Sequence, residues 1–205
     1  MARVSADRLM LFLIYANAFI IGGVVMGFEM LGSRYLYPYF GGGIGTWAGL
    51  ISTVLCALTF GYFIGGTLID RNPSPKVVAV STSLAAIYLC AVPMSADAGM
   101  SAILSSIGDG PAGILAASAA LLLFPLSALG MFSPVATRLL IRSLHQTGRV
   151  TGMVYSVSTI GSIFGTLFTT FVLIPTMGSR AITYLAAGIL AACAASLFIS
   201  PKLVE

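Results

Sequence analysis

Charge is scarce in this sequence: 8% of its 205 residues are Asp, Glu, Lys or Arg, against roughly 25% in a soluble domain. So small a set cannot cover a water-facing surface of this size. Histidine is nearly absent, with His145 alone in a basic segment where it reads as a solvated residue. From one histidine and six acids no Ser/His/Asp, Cys/His or zinc constellation can be assembled. Catalysis by these residues alone is therefore not expected, nor is a metal or a cofactor. Cys56, Cys90 and Cys193 sit far apart inside apolar runs without CxxC or Cys/His spacing. They read as small packing residues rather than as disulfide partners or ligands. The formal charge is +4, but no Lys/Arg cluster accompanies it, which argues against nucleic acid as a partner.

What the chain has is apolar length. Apolar residues make up 58% of it and the mean hydropathy is +1.02. They fall in long runs rather than alternating, which points to membrane helices in a lipid bilayer and away from a transmembrane barrel. A span needs about 20 apolar residues to cross roughly 30 Å of hydrocarbon. Six segments meet that need, near 9–31, 46–69, 77–94, 112–132, 151–175 and 181–199. Asn72-Pro73-Ser74-Pro75, Gly110-Pro111 and Ser200-Pro201 punctuate them. The expectation is an all-α polytopic membrane protein with residues 1–205 as one transmembrane domain. Ala16-Asn17-Ala18 mimics a signal-peptide cleavage site, but the apolar run continues for another dozen residues, so the first segment reads as an uncleaved span.

With six spans and the N-terminus inside, the inner segments hold Arg3, Arg8, Arg71, Lys76, Arg138, Arg142, Arg149 and Lys202. The outer segments hold only Arg34 and Arg180. That asymmetry follows the positive-inside rule and places both termini in the cytoplasm. Tyr35, Tyr37, Tyr39, Phe40 and Trp47 gather on the outer side, as an interfacial aromatic belt does.

A faint internal symmetry is present. Arg34 follows the first span, and a loop of about a dozen residues leads to a helix carrying Gly61 and Gly65. Arg138 follows the fourth, and a similar loop leads to a helix carrying Gly161 and Gly165. Three spans followed by three of opposite orientation is the inverted-repeat plan of transporter halves. Gly23/Gly27, Gly61/Gly65 and Gly161/Gly165 are spaced to let helix backbones approach, chiefly within the chain. Gly41-Gly42-Gly43-Ile44-Gly45 lacks the strand and the Lys-Ser/Thr of a phosphate loop and reads as a flexible or re-entrant turn.

Glu29 is the most informative residue. A carboxylate that far into a span needs a partner, a proton or a water-filled cavity. It reads as a cation-binding or proton-coupling group, or as a member of a structural ion pair. Arg34 is five positions on, about 140° around a helix, and lies on the side of Gly23 and Gly27. Its pairing with Glu29 requires unwinding near Gly32-Ser33, and Arg180 is the other candidate partner. Glu29, Arg34 and Asn17 form the candidate substrate-binding set, with Asn17 bonding across helices. Pro125 and Pro134 disturb the fourth span, where transporters place substrate sites.

Several stretches resemble a known family. Glu29-Met-Leu-Gly-Ser-Arg34-Tyr-Leu-Tyr-Pro38-Tyr-Phe-Gly41, Thr46-Trp47, Gly61-Tyr-Phe-Ile-Gly65 and Ser133-Pro134-Val-Ala-Thr-Arg138 are similar to the membrane half of bacterial spermidine synthase-like proteins. So are Gly148-Arg149-Val-Thr-Gly152 and Phe171-Val-Leu-Ile-Pro175. The resemblance implies half of a major-facilitator-type transporter in a bacterial inner membrane, handling a polyamine or related cation. Gly66-Thr-Leu-Ile-Asp70-Arg71 also resembles the short cytoplasmic loop motif of that superfamily, which implies an inner gate made by Asp70 and Arg71, with Arg138 nearby. The soluble aminopropyltransferase-like domain common in the family has no counterpart in these residues. The expectation is thus a membrane module, working as a homodimer or with a separate membrane or soluble enzyme partner. A non-catalytic anchoring subunit of such a complex is the alternative to transport.

Overall fold

A computed structural model describes residues 2–71, 73–141 and 147–199, with side chains from Leu9 onward. Arg142, His145 and Lys202 lie outside the described residues. Six long helices account for nearly everything described: α1 (Ala2–Phe40), α2 (Ile44–Arg71) and α3 (Lys76–Ile107), then α4 (Pro111–Leu140), α5 (Thr147–Thr176) and α6 (Ser179–Ile199). Each is long and apolar enough to span a bilayer, and only a helix satisfies its own backbone there. The protein is an all-helical multi-pass membrane protein.

Several boundaries differ from the sequence expectation. Helix α1 continues nine residues past Leu31, through Arg34 and the aromatic cluster to Phe40. No long loop follows Arg34, because its residues extend the helix. Gly41, Gly42 and Gly43 alone turn the chain, with Gly41 in the left-handed region at φ 69°. Helix α3 runs on past Met94 to Ile107, since Pro93 is accommodated inside it. Helix α4 starts at Pro111 and passes through both of its interior prolines. A wide π-helical turn at Ala119–Leu123 precedes Pro125, and a turn at Met131 precedes Pro134. A second wide turn, Thr169–Leu173, precedes Pro175 in α5. Proline offers no N–H to the carbonyl one turn back, and a wide turn redistributes the bonds there without breaking the helix.

Glycines set the packing. Helices α1 and α5 make the most extensive contact and run parallel, because Gly23 meets Gly161 and Gly165 while Gly27 meets Thr169. The Ser162 hydroxyl donates to the Gly22 carbonyl at 3.1 Å across that seam. Helices α2 and α4 form a second parallel seam: a Cβ on Gly61 would stand 2.9 Å from the Gly130 Cα, and one on Gly65 2.7 Å from the Met131 Cα. Helices α3 and α6 pack on each other. Exchanging α1 with α4, α2 with α5 and α3 with α6 leaves this pairing unchanged, which is the arrangement of an inverted three-plus-three repeat. The side chains of Leu36, Leu50, Leu89, Leu122, Leu126 and Leu190 fill the centre.

Candidate functional site

One end of the bundle carries Asp70, Arg71, Lys76 and Arg138; the other carries Arg34, Asp97 and Arg180. The inner ion pair implied by the resemblance joins helices rather than neighbours. Arg138 Nε of α4 lies 3.7 Å from Asp70 Oδ1 of α2, with both side chains more than half exposed. Arg71 is the exposed last residue of α2. At the opposite end Arg180 Nη2 of α6 donates to Asp97 Oδ2 of α3 at 2.6 Å. Arg180 therefore has Asp97 as its partner and not Glu29. Among the described residues each end of the bundle is tied by one ion pair between helices that the bundle core also holds together.

Glu29 is buried, with 7% of its surface accessible. Unbroken helix through Gly32 and Ser33 keeps Arg34 about 140° away around α1, so no Glu29–Arg34 pair forms. Glu29 lies on the arc of α1 between Gly22 and Gly32, roughly 20° from the one and 60° from the other. Gly22 faces Ser158 of α5, and Gly32 faces Leu50 of α2 and Leu122 of α4. Its carboxylate thus points among α2, α4 and α5, without a hydrogen bond or ion pair to any described residue. A carboxylate held that way in a span needs a proton, a cation or water.

Asn17 is buried on another face of α1. Its amide donates to the Leu13 carbonyl at 2.7 Å and to Ser196 Oγ of α6 at 3.0 Å. It pins α1 to α6 and does not share a pocket with Glu29. Tyr35 makes a second tie to α6, 2.8 Å from Thr183 Oγ1. Thr183 donates its own proton to the Ser179 carbonyl at 2.9 Å, which makes Tyr35 the donor. The three proposed binding residues therefore divide: Glu29 faces the interior, Asn17 faces α6, and Arg34 is exposed at the bundle's end.

Two cavities accompany them. A recess of about 520 Å³ is lined by Arg34, Ser33, Tyr37, Thr46, Trp47 and Ser179. A half-open apolar crevice of about 360 Å³ lies between α1, α5 and α6, with Phe19, Gly23, Gly27, Phe168, Leu173 and Ile189 among its walls. The sequence pointed to Arg34 and the aromatic residues but to neither cavity: the span near 9–31 ended before the recess, and the crevice depends on α5 and α6 packing beside α1. The signal was legible all the same: Gly23, Gly27, Leu31, Arg34 and Pro38 follow one another at the three- and four-residue steps of a single helix face. Among the described residues no group of three or more His, Cys, Asp or Glu side chains could hold a metal ion.

Comparison of the chain with protein-family models, with curated proteins and with solved structures returned no match.

Proposed function

We propose that this chain is a transport-type module of a bacterial inner membrane, with both termini cytoplasmic, that moves a polyamine or another small cation, with Glu29 as the binding group. The observation that carries this reading is the burial of Glu29 in a span without a protein partner among the described residues. Its two carboxylate oxygens are free to accept from an ammonium group, and the burial of the side chain strengthens that attraction. The concentration of basic residues at the Asp70 end supports the orientation, and the motifs similar to spermidine synthase-like membrane domains support the cation class. The Asp70–Arg138 and Arg180–Asp97 pairs sit at opposite ends, as the closures of an alternating-access cycle must. Six helices make half of such a transporter, so a second copy or a membrane partner completes it.

Uptake of labelled spermidine into proteoliposomes tests the reading. Glu29→Gln keeps the shape and the fold and removes the charge, so uptake should fall to background. Undiminished uptake by that variant would sink the assignment. Anchoring is the second reading, favoured by an interior in which Glu29 is the one carboxylate among the buried residues described. A soluble enzyme retained stoichiometrically in a mild-detergent pull-down, together with absent uptake, would select it.

A further inference from the structure

The two cavities lie along the same faces of α1 and α6. On α1 the residues Gly23, Gly27 and Leu31 wall the apolar crevice, and Arg34 and Pro38 continue the same face into the recess. On α6 the face of Ile182, Ala186 and Ile189 in the crevice begins at Ser179 in the recess. Both helices therefore carry one groove that is apolar at depth and polar at its end. Along α1 the crevice runs from Phe19 to Leu31, roughly 18 Å at 1.5 Å per residue, close to the roughly 15 Å depth of one leaflet's hydrocarbon. Thr169 is a rare polar side chain among its walls.

The polar end is built for an anion. Arg34 makes no ion pair with a described residue, and Asp97 at the same end is taken by Arg180. Helices α2 and α6 both start at the recess, through Thr46 and Trp47 on one side and Ser179 on the other. The positive dipole ends of both helices add to the guanidinium, while the Thr46 and Trp47 N–H groups themselves donate to the Gly43 carbonyl at 3.1 and 3.3 Å. Ser179 supplies a hydroxyl, the Ser33 hydroxyl being given to the Met30 carbonyl at 2.7 Å, and Tyr37 and Trp47 supply the amphipathic rings found at headgroup level. No carboxylate lines the recess.

We propose that this groove binds one membrane amphiphile, with a phosphate-bearing headgroup on Arg34 and a hydrocarbon tail in the crevice. Each cavity falls in the range of about 300–1,000 Å³ usual for ligand sites. Glu29 lines neither cavity, and the site stands whether or not Glu29 binds a cation.

Native mass spectrometry of the protein from nanodiscs containing equal phosphatidylglycerol and phosphatidylcholine tests it. The wild type should retain one phosphatidylglycerol per chain in preference to phosphatidylcholine. Arg34→Gln should reduce that preference about tenfold, the loss expected of one charge-assisted contact. Ile189→Trp, which fills the crevice from a partly exposed position, should abolish retention of both lipids; Leu185→Trp does the same if the first variant does not fold. Equal retention of the two lipids, unchanged by Arg34→Gln, would overturn the site and leave ordinary bilayer contact. Arg34-dependent binding that inorganic phosphate displaces and that Ile189→Trp leaves intact would also overturn it, because the recess would then hold a free phosphate alone.

Discussion

Placing one methyl group between α1 and α5 tests whether backbone contact at the glycines holds the two helices together. In Gly165→Ala the new Cβ would lie 2.6 Å from the Gly23 carbonyl carbon, where unstrained carbon atoms need about 3.5 Å. Nothing at that point is a flexible side chain end, so the helices must separate by roughly 0.9 Å. A gap of that size forfeits about a quarter to a half of each atom-pair attraction of ~0.1–0.2 kcal/mol. Over on the order of 50 pairs along the seam, the loss is about 1–5 kcal/mol, in keeping with about 1–3 kcal/mol for overpacked cores. At about 2–4 °C per kcal/mol for a chain of this size, the melting temperature should fall by roughly 2–20 °C. The assay is thermal unfolding in mild detergent, read by a thiol-reactive dye at buried Cys193 in a background with Cys56 and Cys90 changed to serine. Gly188→Ala is the control, since a Cβ there meets nothing within 4 Å. If Gly165→Ala melts within about 1 °C of that control, the seam is not held by backbone contact and the packing argument fails.

Asn17→Leu removes the tie to Ser196 and should cost about 0.6 kcal/mol, and no more than about 1.7, measured by the same thermal scan; a larger loss would mark a wider polar network. Tyr35→Phe removes the hydroxyl that donates to Thr183 and should cost a similar about 0.5–1.5 kcal/mol. For Asp70→Asn and Arg138→Gln, exposure limits each loss to about 1 kcal/mol. A double-mutant cycle on that pair should give coupling near 0.5 kcal/mol that fades with salt (about the value for exposed pairs), and a salt-independent coupling several times larger would contradict the exposed geometry.

The six spans were legible because each is a long apolar run, and length alone decides that a run crosses a bilayer. Their ends were less legible. Tyr35, Tyr37 and Tyr39 read as loop because aromatic residues mark the interface, yet a helix crosses that interface without changing conformation. Met94 read as an end because Asp97 follows it, whereas Asp97 is kept in α3 by Arg180. The partner of Arg180 could not be read from the sequence, because Asp97 is 83 residues away and nothing local links them. Glu29 was legible as a position, since a carboxylate within an apolar run stands out. Its surround was not, because the helices facing it are set by seams of α1 with α5 and of α2 with α4. Those seams depend on glycines whose partners no local pattern reveals.

The repeat makes the role of Glu29 testable apart from transport. Gly165 of α5 meets Gly23 of α1 and Gly65 of α2 meets Met131 of α4, so Gly23 and Met131 occupy matching places in the two repeats. The same spacing carries Glu29 to Thr137 and Arg34 to Arg142. The Thr137 hydroxyl is buried without a hydrogen-bond partner among the described residues, so the second repeat carries a polar but uncharged group at that place. If the scaffold needed a carboxylate there for packing, both halves would feel the need. The charge on one half alone points to a single asymmetric site, which a ligand requires and a fold does not. Glu29→Met keeps the length and helix propensity of the side chain while removing the group that is costly to bury. Replacing a buried charge with a well-packed apolar residue is commonly neutral or stabilising, so the melting temperature should hold or rise while cation uptake is lost. A fall of more than about 8 °C, roughly 3 kcal/mol for a chain of this size, would show that Glu29 holds helices together and would remove the case for it as a binding group.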